Sequence, residues 1–188
     1  MISALHAKAG LAVMAAMLVA GCGGGGEEDD LQAFGPASGP ASPVALAQSC
    51  DMPDFAQQML SAINTARASA RNCGTTAFPA VSPLGWNDQL AQAASAHSTD
   101  MASRNFVSHT GSDGSSAADR AQAVGYRGAV GENLAGGQTS VAQVMNELLR
   151  SPAHCANIMN PTYKVMGAAC VSNRNTTYKT HWTQMLGL

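Results

Sequence analysis

Charge is scarce in this chain. Only 12% of its 188 residues are Asp, Glu, Lys or Arg, about half the usual share. With 10 basic and 12 acidic residues and a net charge of -2, there is no basic footprint for nucleic acid. An apolar run able to span a bilayer is also missing. The N-terminal stretch Ala9 to Ala20 has 12 residues, whereas a spanning helix needs about 20. No C-x-x-C spacing is present, which argues against a cysteine-based zinc site. Neither H-E-x-x-H nor G-x-S-x-G occurs, so the common metalloprotease and hydrolase signatures are absent. There is no internal repeat.

What the N-terminus does contain is processing chemistry. A short n-region with His6 and Lys8 precedes the apolar stretch, as in a secretory signal. The stretch ends in Leu18-Val19-Ala20-Gly21-Cys22, which resembles a bacterial lipoprotein cleavage site. This junction predicts a signal peptide over 1–21 and acylation of Cys22, with ordinary secretory cleavage as the alternative. Gly23 to Gly26, the acidic run Glu27 to Asp30 and a Pro/Ser/Ala/Gly stretch follow. Such composition cannot bury a core and predicts a flexible tether over 22–49. The expected partner is a membrane, reached through the lipid anchor, and the expected location is the extracytoplasmic cell envelope.

Export places the remaining cysteines, Cys50, Cys73, Cys155 and Cys170, in an oxidising compartment, where an even number suggests two disulfides. Four cysteines allow three pairings. The sequence-local choice, Cys50–Cys73 and Cys155–Cys170, joins residues 23 and 15 positions apart, worth about 3 kcal/mol each by loop entropy. A catalytic thiol at Cys155 is disfavoured, because adjacency to His154 in sequence does not bring two side chains together.

The domain proper spans 50–188 and holds nine basic and eight acidic residues, close to neutrality. Phe55, Met59, Ile63, Ala66 and Ala70 recur at helical spacing and predict a first helix reaching toward Cys73. Trp86, Leu90, Ala94, His97 and Met101 mark a second, capped by Asn87 or Asp88. A short helix is expected near Ala117 to Val124, and the glycine-broken stretch Gly125 to Gln138 is left without an element. Val141, Val144, Met145 and Leu148 define another helix, capped by Thr139 or Ser140. Ser151-Pro152 then reads as an N-cap and first-turn proline opening a further helix. Lys164 to Ser172 and Thr177 to Leu186 read as strands joined by a turn at Asn173-Arg174-Asn175. Helices first and strands late imply an α+β domain.

Polar segments stand out against this apolar background. They are Ser108-His109-Thr110-Gly111, Gly131-Glu132-Asn133, Ser151-Pro152-Ala153-His154-Cys155-Ala156-Asn157-Ile158 and His181-Trp182-Thr183-Gln184. Together with Asn64-x-x-Arg67 and His97-Ser98-x-Asp100-Met101 they resemble, in order and spacing, the CAP superfamily of SCP-like extracellular proteins. That family includes the cysteine-rich secretory, antigen 5 and pathogenesis-related proteins. The likeness covers about Phe55 to Gly187. It implies a three-layer α-β-α sandwich with a small central antiparallel sheet and a cleft lined by two His and two Glu. On this resemblance His109 and His181 match the cavity histidines and Glu132 the acid. Ser151 stands where animal and plant members carry the second Glu, and Glu147 lies too far round its helix to replace it.

Two imidazoles and a carboxylate suit a zinc-like divalent ion, with His109 and His181 as ligands and Glu132 orienting one of them. The same set also suits general acid–base chemistry. His154 reads as a capping or packing residue, and His97 as a core histidine. Asn64 and Arg67 read as fold-stabilising, Trp86 and Met101 as core residues, and Trp182 alternates with the His181 side of its strand. Two functional classes follow. One is a monomeric binding module for a metal, a small apolar or sterol-like ligand, or an envelope component. The other is a metal-assisted hydrolase, a peptidase or cell-wall enzyme. The absent signatures favour the first.

Overall fold

The computed structural model describes residues 49–188. The signal peptide, Cys22 and all but the last residue of the expected tether lie outside them. Among the described residues, five helices and six strands follow in the order α1 (Phe55–Arg67), β1 (Arg71–Cys73), β2 (Thr76–Phe78), β3 (Gly85–Trp86), α2 (Asp88–Arg104), α3 (Ala117–Ala123), β4 (Val130–Gly136), α4 (Val141–Arg150), α5 (Pro152–Ile158), β5 (Val165–Ser172) and β6 (Thr180–Gly187). The main sheet runs β3-β5-β6-β4. Strands β4, β6 and β5 pair antiparallel, but β3 joins β5 in parallel, so the sheet is mixed at that edge. Strands β1 and β2 form a separate hairpin.

The period-2 alternation of β5 and β6 divides the core into two. Met166, Ala168, Cys170, Trp182 and Leu186 face α1, α4 and α5 and pack with Phe55, Met59, Ile63, Val144, Met145, Leu148 and Ile158. Ala169 and Met185 face the other way, onto Leu90, Ala93 and Ala94 of α2 and Ala121 of α3. The molecule is therefore an α-β-α sandwich. Helix α2 lies close because both surfaces are small: a Cβ at Gly167 of β5 would strike the backbone of Leu90 and Ala91. Between these layers, Ser98 of α2 donates to Thr183 Oγ1 at 2.8 Å.

Helix boundaries follow local chemistry. Asn87 caps α2 by accepting from Leu90 N, and Ser140 caps α4 through Gln143 N. Ser116 and Asp119 form a reciprocal capping box on α3. Helix α1 stops at Arg67, short of Cys73, because the chain turns there into the β1–β2 hairpin. Strands of three residues carry no periodicity to read. The glycine-broken stretch also contains a strand, β4. Its glycines admit neighbours rather than end the strand: a Cβ at Gly131 would meet the Tyr163 ring, and one at Gly136 the Tyr178 ring.

Two residues of the sequence motifs bind the layers. Arg67 is fully buried and donates to the carbonyls of Ser82 at 2.8 Å, Ile158 at 2.6 Å and Asn160 at 3.0 Å. Asn64 pairs with both backbone groups of Leu84, at 3.0 and 2.8 Å.

The disulfides correct the sequence-local pairing. Cys50 bonds to Cys170 and Cys73 to Cys155. Ser49 bridges to Cys170 in parallel and Cys50 N donates to Cys170 O, so the N-terminal segment runs along the side of β5 that β3 leaves free. The hairpin folds onto α5, bringing Gly74 against Pro152 and Cys73 against Cys155. A helix separates Cys50 from Cys73, and its 13 residues are about 20 Å long. That length holds the two cysteines apart. The observed links close loops of 120 and 82 positions, worth about 4.5–5 kcal/mol each by chain entropy. Non-reducing peptide mapping is expected to recover Cys50–Cys170 and Cys73–Cys155. The Cys73→Ser/Cys155→Ser variant is expected to lose several kcal/mol in denaturant unfolding, and recovery of a Cys50–Cys73 peptide would contradict the fold.

Candidate functional site

Glu132 is the only acidic residue of β4, and its side chain is just 3% exposed. A carboxylate that far from water needs compensation, and two groups supply it. Arg120 of α3, itself buried, donates from Nη2 to Glu132 Oε2 at 2.6 Å. His109, on the loop between α2 and α3, meets Glu132 Oε1 through Nδ1 at 2.8 Å. Arg120 also grips the loop, donating to the carbonyls of His109 at 3.2 Å and Ser115 at 2.7 Å. The His109 side chain remains 62% exposed. A carboxylate acceptor at Nδ1 holds the neutral ring in the tautomer whose Nε2 lone pair is free.

Helix α2 holds the same loop from the other side. Buried His97 contacts the Ser108 carbonyl through Nε2 at 2.8 Å. Asp100, one turn along, accepts from Ser112 N at 2.8 Å and Ser112 Oγ at 2.5 Å. His97 is thus a core residue, as expected, and it also positions the residue before His109.

A further motif histidine, His154, lies on α5, the helix that meets β4. Ser151 and Pro152 start α5 as the sequence indicated, although the Ser151 hydroxyl makes no cap hydrogen bond. His154 and Asn157 then fall three apart on one face of α5. Asn157 Nδ2 donates to Glu132 O at 3.2 Å and to Asn133 Oδ1 at 3.0 Å, while Asn133 Nδ2 donates to His154 O at 3.3 Å and Gln184 Oε1 at 2.9 Å. This amide network docks α5 against β4. Burial lowers the pKa of half-buried His154, His109 lowers it further, and Glu147 opposes them.

His181 does not join this group. The register sets Met185 opposite Glu132 and His181 opposite Gly136. Both side chains point to the same sheet face, but four positions along a strand separate them by about 13 Å. His181 is fully buried, edge-on to Tyr178 at 6.0 Å. Burial lowers its pKa. The strand register thus sets His181 apart from the His109–Glu132 pair, while α5, which carries His154, docks beside that pair through Asn157. Two donor rings remain for a cation, because both oxygens of Glu132 are committed to His109 and Arg120. Among the described residues no cluster of three or more His, Cys, Asp or Glu is arranged to hold a metal.

Burial lowers the pKa of both His97 and His181, so the folded state resists protonating them while the unfolded chain does not. Stability is therefore full above the unfolded-state imidazole pKa near 6.5 and declines as pH falls below it. Thermal unfolding between pH 8 and 5 is expected to show that decline. The His181→Phe variant is expected to flatten it, and an unchanged slope would count against a neutral buried His181.

The sequence matches the model of CAP, the Cysteine-rich secretory protein family, over residues 60–186. It is 32% identical over 104 residues to the protein YkwD of Bacillus subtilis (strain 168), covering 54% of this chain and 38% of that protein. The chain thus spans well under half the length of that relative. Among solved structures, an extracellular SCP-domain protein of Bacillus anthracis aligns at TM-score 0.55 and 22% identity, over 80% of this chain and 45% of that one. An outer surface protein of Borrelia burgdorferi aligns at TM-score 0.52 and 19% identity, over 57% and 78%. NaASP2, solved with Zn2+, aligns at TM-score 0.50 and 14% identity, over 72% and 80%. With its helices layered on both faces of the sheet and the family model matched over residues 60–186, the chain belongs to the CAP, cysteine-rich secretory protein family.

Proposed function

We propose that this is an extracytoplasmic binding domain, tethered to a membrane by a lipid on Cys22, whose His109–His154 pair takes up a zinc-like divalent ion without turnover. The observation that carries the reading is the 2.8 Å contact of His109 Nδ1 with a Glu132 that Arg120 already neutralises. It leaves one imidazole lone pair outward and oriented, the arrangement typical of metal-ligating histidines. His154, whose pKa burial and His109 lower against the opposing pull of Glu147, is the second donor. Two protein donors fall short of the three or four of dedicated zinc sites. Uptake is accordingly weak and exchangeable, with water or a ligand's own donor atoms completing the shell. That NaASP2 was solved with Zn2+ is in keeping with this reading. The hydrolase alternative uses the same His109 lone pair as a general base, and substrate turnover is its distinguishing result.

Zinc titration by calorimetry at pH 7.5 is expected to show one weak site, abolished in His109→Ala, weakened at least tenfold in His154→Ala and unchanged in His181→Ala. A proton and the cation compete for the same lone pairs, so uptake is expected to fall as pH drops below about 6.5. Identical uptake by wild type and both cleft variants, or none at all, ends the metal reading.

Support for the anchor comes from the short apolar stretch, the Leu18-Val19-Ala20-Gly21-Cys22 junction and the tether composition after it. Mass spectrometry of the exported protein is expected to find Cys22 as a diacylglyceryl-modified N-terminus. An unmodified Cys22, or cleavage elsewhere, makes the protein freely secreted.

A further inference from the structure

The two disulfides are held differently. Cys73 lies on β1 and Cys155 on α5, and both are buried. Cys170 lies within β5 and is buried as well. Of the four, Cys50 alone belongs to no helix or strand: it sits half-buried on a turn just ahead of α1. Ser49 bridges to Cys170, and Cys50 N donates to Cys170 O at 3.0 Å. The covalent link and this short pairing therefore meet the sheet at one residue.

The turn is also strained. Cys50, Asp51 and Asp54 take φ of 48°, 61° and 50°, in the left-handed region that costs a residue with a side chain, Cys more than Asp. They are three of the five non-glycine residues with positive φ among the described residues, so the strain is concentrated where the bridge closes. Backbone of this kind persists only where its surroundings hold it. Once the bridge opens, Cys50 is free to return to ordinary dihedrals, away from Cys170. The Cys73 and Cys155 sulfurs keep their places, because the hairpin packs on α5, Gly74 against Pro152. Two thiols on fixed elements stay at high effective concentration and reclose, whereas one on a relaxing turn does not.

We propose that Cys50–Cys170 is a redox-sensitive strap, opened by a dithiol reductant while Cys73–Cys155 stays closed. One thiolate of the dithiol attacks Sγ of Cys50, on the less buried residue of the bridge. The Sγ–Sγ bond breaks and Cys170 leaves as a thiolate. The second thiolate then attacks the reductant's own sulfur in the mixed disulfide, which releases Cys50. The dithiol is oxidised to its disulfide, the protein gains two electrons, and the two protons of the dithiol end on Cys50 and Cys170. Opening frees residues 49–54, up to about 20 Å of extended chain ahead of α1. The core stays closed, because Phe55, Met59 and Ile63 hold α1 within it and Cys73–Cys155 holds α5. The strap thus sets how far the domain stands from the chain ahead of residue 49, and it shares no residue with the histidine pair.

The test uses the full-length chain and dithiothreitol. The native protein is incubated across a dithiothreitol series, alkylated and mapped by mass spectrometry, with hydrogen exchange read at each step. Cys50 and Cys170 are expected to become alkylated at a concentration about tenfold below that needed for Cys73 and Cys155. Exchange is expected to rise over residues 49–54 and to stay slow in α5 and β6. Glutathione, a monothiol, is expected to leave its mixed disulfide on Cys50. The Cys50→Ser/Cys170→Ser variant is expected to keep the fold and to show the fast-exchanging segment without reductant. The proposal is overturned if the two bridges open together, if Cys73–Cys155 opens first, or if loss of Cys50–Cys170, by reductant or by substitution, unfolds the domain.

Discussion

The candidate site depends on one buried carboxylate. Glu132 sits on an edge strand with almost no access to water, and Arg120 and His109 each take one of its oxygens. Removing one partner from such a buried pair typically costs about 3–5 kcal/mol. Here the consequence is also geometric. Arg120 holds the backbone at His109 and Ser115, Glu132 holds the His109 ring, and the Glu132 carbonyl receives Asn157 of α5. One residue of β4 thereby ties α3, the α2–α3 loop and α5 into a single arrangement.

The surrounding sandwich keeps that arrangement rigid. Gly167 lets α2 lie on β5 at backbone contact, and from there His97 and Asp100 reach the loop that carries His109. On the opposite face, Arg67 draws the segments that follow α5 toward α1, while Cys73–Cys155 pins α5 to the hairpin. The imidazoles are thus presented on elements held from both faces. Precise presentation of a few groups on a fixed scaffold is what a recognition site requires.

The motif histidines show where a sequence can mislead. His181 lies in a motif that resembles the family's cavity histidine segment, and it does share a sheet face with Glu132. Yet its strand position puts it opposite Gly136, under Tyr178, some four residues from Glu132's level. His154 sits in an equally visible motif, where residues alone suggest a capping or packing role. A signal for its place is present: Ser151-Pro152 sets the helix start, which puts His154 and Asn157 on one face. Nothing local shows that this face meets β4.

Local chemistry was legible from residues alone. Capping asparagines and serines, helical stripes and the two long strands carry their own signals, because each depends on neighbours within a few positions. The α+β class and the family motifs, including the paired importance of His109 and Glu132, follow from the same kind of information. The strand hidden among glycines, the parallel edge at β3 and the two long-range disulfides do not. Those depend on residues 80 or more positions apart meeting in space, or on a side chain from elsewhere filling the room that a glycine leaves. Strand register decided the rest. It sets which imidazole stands at the level of Glu132, and register is fixed by the packing of both sheet faces together, not by any single strand.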